Sequence, residues 1–66
     1  MRFSERLKKE RKKHKYSQSD LAKYMQVSQV SISYWERGIK EPDFEELIGL
    51  SKLFNKSTDY MLGVED

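Results

Sequence analysis

Two helix-start signals only eleven residues apart constrain this chain more than anything else in it. Ser17 is an N-cap type with Asp20 three positions on, and Tyr16 and Leu21 flank it where a hydrophobic staple would sit. Ser28 repeats the arrangement, with Val27 before it and Ile32 four residues after. Helix two is therefore expected over about 18–25 and helix three over about 29–36, with only two or three residues between them. Helices joined that tightly cannot lie side by side as a long hairpin; they cross steeply, as in a helix-turn-helix.

The rest of the chain follows the same punctuation. A first helix is expected from about Ser4 to Lys13, with Phe3 and Leu7 as a thin apolar stripe and Arg and Lys over the remainder. Gly38 and Pro42 mark a stop and a loop after helix three. Asp43, with Glu46 in the capping-box position, opens a fourth helix whose apolar positions are Phe44, Leu47, Ile48, Leu50, Leu53 and Phe54; Asn55 closes it. Ser57 caps a last short helix carrying Tyr60, Met61 and Leu62, Gly63 ends it, and Val64-Glu65-Asp66 is expected to fray. No run alternates as a strand would, so the reading is all-α: five short helices in one compact domain spanning 1–66.

Composition narrows the function classes. There is no cysteine and a single histidine, His14, so thiolate metal sites, disulfides and His-pair chemistry are out of reach. No catalytic set, metal-ligand set or cofactor site is expected, and His14 reads as a solvated residue near the end of helix one. With no apolar run of the ~18 residues a membrane span needs and no secretory pattern, the expected place is the cytoplasm, away from membranes. The formal net charge of +2 hides a polarised chain: residues 1–40 carry 11 Lys and Arg against 4 Asp and Glu, whereas residues 41–66 carry 2 against 7. A basic front and an acidic back suit a polyanion on one side and water or a partner on the other.

Helix three has two sides. Ile32 and Trp35 face inward, and Trp35, three residues from Ile32, reads as core rather than as a stacking platform for single strands. Gln29, Val30, Ser33, Tyr34 and Arg37 face outward. That outer side carries no carboxylate, so it can enter a major groove about 12 Å wide without setting a negative charge against phosphate. Gln can bond adenine bidentately, Ser can bond several base edges and Val can touch a thymine methyl. The caps at Ser17 and Ser28 leave helix N-termini whose N–H groups suit phosphate oxygens.

Residues 17–38, SQSDLAKYMQVSQVSISYWERG, resemble the helix-turn-helix of the phage-repressor family, also called Cro-like or Xre-like. Residues 51–63, SKLFNKSTDYMLG, resemble the end of the same five-helix domain. The resemblance implies a lambda-repressor-like DNA-binding domain, acting as a sequence-specific transcriptional regulator, a repressor, on a double-stranded operator. It implies that Gln18 holds a backbone phosphate and that Gln29, Val30, Ser33 and Tyr34 face base edges. Ser28 and Ser31 lie nearer the backbone, Arg37 and Lys40 meet phosphate, and Arg11 and Glu36 pair to tie helix one to the end of helix three. A two-fold homodimer, formed on the DNA, would read two half-sites about one helical turn apart. Gln26 and Lys15 stand where the family favours Gly, and Lys56 replaces a common apolar residue; Gln26 is expected to strain the inter-helix turn. The alternative function is a small protein-interaction module, such as an antitoxin-like subunit that neutralises a partner through its acidic half.

Overall fold

Among the described residues, five helices end in the same device. The computed structural model describes residues 2–65 and contains α1 (Phe3–Lys13), α2 (Gln18–Met25), α3 (Gln29–Arg37), α4 (Phe44–Phe54) and α5 (Thr58–Leu62). Lys15, Gln26, Gly38, Asn55 and Gly63, just past the five helices, all have left-handed φ, between 54° and 82°. After each, a backbone N–H reaches back five residues to a carbonyl: Tyr16 to Arg11, Val27 to Ala22, Ile39 to Tyr34, Lys56 to Ser51 and Val64 to Asp59. This is the Schellman closure, which satisfies carbonyls that a helix end leaves bare. Only two of the five positions are glycine. Asn55 tolerates the left-handed region, but Lys15 and Gln26 hold it against the contact between Cβ and the carbonyl, at about 1–2 kcal/mol each.

The starts are as uniform. Ser17, Ser28, Asp43 and Ser57 each accept, through a side-chain oxygen, the backbone N–H three residues on. Asp20 and Glu46 return the bond to the backbone N–H of Ser17 and Asp43. The Ser17 backbone N–H, and then its side chain, hold the Asp20 carboxyl below the usual carboxylate range. Each cap supplies about 1 kcal/mol, so four short helices begin where the sequence expects them.

The core is Leu7, Leu21, Ala22, Ile32, Trp35, Leu50, Phe54 and Met61, drawn from all five helices. Leu21, Ala22, Ile32 and Trp35 join α2 to α3, while Leu50, Phe54 and Met61 seat α4 and α5 beneath them. Phe44 and Ile48 depart from the expected apolar face of α4, at 84% and 46% exposure. Leu50 and Phe54 occupy the inward side, and an eleven-residue helix has only one such side to bury.

α1 departs further from expectation. Its buried residues are Arg6, Leu7, Glu10 and Arg11, so three of the four are charged. Arg6 lies 4.2 Å over the Tyr60 ring and donates through Nη1 to the carbonyls of Tyr60 and Glu65, at 2.9 and 2.7 Å. Glu10 is fully buried; its Oε2 accepts the Tyr60 hydroxyl at 2.8 Å, and its Oε1 has no hydrogen-bond partner among the described residues. These contacts hold Val64 and Glu65, where fraying was expected: the Val64 N–H is bonded to Asp59 and the Ser57 hydroxyl donates to the Glu65 carboxylate. Asp66, the last residue of that expectation, lies outside the described residues. Among the described residues no helix is long and apolar enough to cross a membrane.

Candidate nucleic-acid interface

The turn Gln26–Val27–Ser28 sets the angle between α2 and α3. The left-handed Gln26 ends α2, Val27 packs on the core, and Ser28 starts α3. Ile32 at 0% and Trp35 at 4% exposure pin the inner side of α3, which leaves its other side no choice but to face out.

The expected residues on and around α3 differ in exposure. Gln29, Arg37 and Lys40 are exposed, Val30 is 56% exposed, and Ser31, Ser33 and Tyr34 are half-buried. Ser28 is exposed, and its Oγ accepts the Ser31 N–H at 3.1 Å and shares a second hydrogen bond with the Ser31 hydroxyl at 3.1 Å. The two serines thus order the first turn of α3, where the leading backbone N–H groups stay outside the helix ladder. At the far end, the Arg37 guanidinium and the Lys40 ammonium lie 5.6 and 5.7 Å from the centre of the Tyr34 ring. Both cations gather at this one ring, whose electron-rich face stabilises a nearby cation by about 0.5–1 kcal/mol at an exposed site. The outer face therefore runs from an amide, through an apolar methyl pair and a hydroxyl, to two positive charges.

Behind this face the Arg11–Glu36 pair forms as expected. The Arg11 Nε and Nη2 donate to the two Glu36 carboxylate oxygens at 2.5 and 3.1 Å, in the bidentate geometry that favours Arg over Lys. Arg11 Nη1 also donates to the Tyr16 carbonyl at 2.9 Å. The side chains are 10% and 3% exposed, so α1 and α3 are locked by a nearly dry ion pair.

Two features escaped the sequence reading. Gln18 is half-buried, and its Nε2 donates to Glu36 Oε1 at 3.2 Å, so the ion pair extends to α2. His14 is exposed at the end of α1, as expected, but its contacts were not read: its Nδ1 lies 2.9 Å from the Glu10 carbonyl, and its ring lies 5.0 Å from that of Phe54. Spacing carried part of the signal for the buried side of α1: Glu10 and Arg11 follow Leu7 by three and four residues, and Arg6 precedes Glu10 by four. Nothing in the local sequence announces the Gln18 bond, because it depends on the angle at which α2 meets α3.

Comparison with known proteins agrees with this geometry. A family model described as helix-turn-helix matches residues 7–61. Repressor protein C2 of Salmonella phage P22 is 48% identical over 60 residues, covering 91% of this chain and 28% of that protein. The HTH-type transcriptional regulator ImmR of Bacillus subtilis (strain 168) is 38% identical over 66 residues, all of this chain and 52% of ImmR. The chain thus spans about half or less of the length of these curated relatives. A crystal structure of the P22 c2 repressor in complex with synthetic operator 9T superposes with a TM-score of 0.91, at 43% identity, over 98% of both chains. Capped crossing helices, an exposed polar side of α3, a family match across most of the sequence and a shared fold lead to one assignment: this chain belongs to the helix-turn-helix family.

Proposed function

We propose that this chain binds double-stranded DNA in a sequence-specific way as the operator-reading part of a transcriptional regulator, a repressor. The outer side of α3 is the single observation that carries the reading: a helix pinned from behind by Ile32 and Trp35 that presents amide, methyl, hydroxyl and cationic groups and no carboxylate. The likeness to a repressor solved on an operator supports it.

In this reading Gln29, Val30, Ser33 and Tyr34 meet base edges in the major groove, and Val30 offers its methyls to thymine. Gln18, Ser28 and Ser31 stand at the starts of α2 and α3 and meet the sugar-phosphate backbone, where N–H groups and the helix dipole favour anions. Arg37 and Lys40 neutralise phosphate at the other end of α3. Two copies would occupy two half-sites about one turn of DNA apart, so DNA would bring the copies together as a homodimer. The domain works by binding and performs no chemistry.

Selection from a random duplex library, followed by titration of the winning sequence and a scrambled one at two salt concentrations, tests the reading. A selected site bound 10³-fold or more above the scrambled duplex, with affinity falling steeply as salt rises, is the expected outcome. Equal, weak binding of both duplexes would overturn it and favour the protein-interaction module.

A further inference from the structure

Gln18 sits where its amide has only one useful orientation. Glu36 Oε1, 3.2 Å from the Gln18 nitrogen, is an acceptor and nothing else, because both carboxylate oxygens already take hydrogen bonds from Arg11. The amide must therefore turn its NH2 group, not its oxygen, toward Glu36. A primary amide nitrogen carries two hydrogens about 120° apart. One is spent on Glu36, and the second remains for another acceptor. Phosphate oxygen is likewise an acceptor only.

We infer that Glu36 is a positioning residue for DNA: it fixes the Gln18 amide so that one nitrogen bridges two anions, the Glu36 carboxylate on the protein side and a backbone phosphate on the DNA side. The inference rests on the DNA-binding reading proposed above and adds the reason a neutral side chain serves at this place. Gln18 is the third residue of a short path, Arg11 to Glu36 to Gln18, that links α1, α3 and α2 at one point. Arg11 neutralises the carboxylate, so the phosphate approaches a balanced pair rather than a bare negative charge. Glu36, only 3% exposed, does not touch the DNA itself. The amide is held before DNA arrives, so ordering that side chain does not have to be repeated on binding.

The test is a double-mutant cycle on DNA affinity, with Gln18→Ala, Glu36→Gln and the double variant titrated against the selected operator at a temperature where all are folded. Gln18→Ala is expected to weaken binding about 10- to 100-fold, at the level of one hydrogen bond to a charged group. Glu36→Gln is expected to weaken it about 3- to 5-fold in the native background and by less than 2-fold once Gln18 is gone. Equal losses from Glu36→Gln in both backgrounds would show a structural role only and overturn the inference, while leaving DNA binding intact. A native chain that selects no operator overturns the functional reading and this one together. Should Glu36→Gln fail to fold, proton–nitrogen NMR of the native chain decides. In free protein one Gln18 side-chain amide proton should be shifted and slow to exchange with water; the other should move only when operator is added. Two amide protons that both exchange at the rate of free glutamine would overturn the inference.

Discussion

Two polar networks hang from α1, and they are built differently. Arg11, in the last turn of α1, meets Glu36 in a two-pronged pair, with Tyr16 and Gln18 making further hydrogen bonds. Arg6, nearer its start, and Glu10, the residue before Arg11, meet α5 and the segment beyond it through one aromatic ring, two carbonyls and one hydroxyl, and Glu10 Oε1 is left without a partner among the described residues. The first network lies behind the proposed DNA face and is closely matched charge against charge. The second holds α5 and the segment beyond it in place and relies on a tyrosine. A small domain has too little apolar surface to seat every helix by packing alone. Here α1 offers chiefly Leu7 to the core, and charged side chains complete the joint at both ends.

The largest effect should come from breaking the first network. Glu36→Ala leaves Arg11 buried without its counter-charge and should cost about 3 kcal/mol, a fall in melting temperature of roughly 10–20 °C for a domain of this size. The double change Arg11→Ala/Glu36→Ala should cost clearly less than the two single losses added together. Strict additivity in thermal melts would contradict the pairing.

Breaking the second should cost less. Tyr60→Phe keeps the ring under Arg6 and removes only the hydroxyl, so Glu10 loses its donor; the expected loss is about 1–3 kcal/mol. The same bond gives this network a pH signature. The Tyr60 hydroxyl is pushed above its ordinary value of 10.0, first by its hydrogen bond to Glu10, then by burial and by the Glu10 charge, with Arg6 opposing. A raised folded-state value means that the stabilisation is fully present below pH 10.0 and is lost as pH climbs through the elevated value. The gap in stability between native chain and Tyr60→Phe should therefore be constant near neutrality and shrink in alkaline solution. A gap unchanged at high pH would show that the hydroxyl does not serve Glu10.

The smallest effect should be a gain, and it touches neither network. Gln26→Gly relieves a left-handed φ of 58° at the turn between α2 and α3, and glycine's own entropy cost offsets part of the relief, so about 0.5–1 kcal/mol of added stability is expected. Asn55→Gly, starting from a residue at home in that conformation, should gain less. Denaturant midpoints for the two variants check the order; a loss from Gln26→Gly would mean that its side chain makes a contact worth more than the strain.

The same contrast explains what was legible in the sequence. The four helix starts from Ser17 onward and their stops could be read because caps and left-handed closures are local: Ser17 meets Asp20, and Asp43 meets Glu46, within one turn. The outer side of α3 was legible from spacing around Ile32 and Trp35. The resemblance to repressors gave the Arg11–Glu36 pair and marked Lys15 and Gln26 as places that want glycine; both do have positive φ. The inner side of α1 was legible only as spacing around Leu7, because Arg6 and Glu10 look like surface charges until Tyr60, 54 and 50 residues away, folds against them. Exposed Phe44 and Ile48 misled in the opposite sense, since hydrophobicity alone does not say which side of a helix its neighbours cover.

Reading of base edges by α3 is tested most directly at Gln29, the first residue of that helix and an exposed one. The measurement is a titration of the native chain, Gln29→Ala and Gln18→Ala against the selected operator substituted in turn at every base pair. Gln29→Ala should cost about 1–3 kcal/mol on the preferred site and flatten the preference at one base pair. Gln18→Ala should weaken all sites by a similar factor and leave their ranking intact. A base-preference profile unchanged by Gln29→Ala would contradict the account.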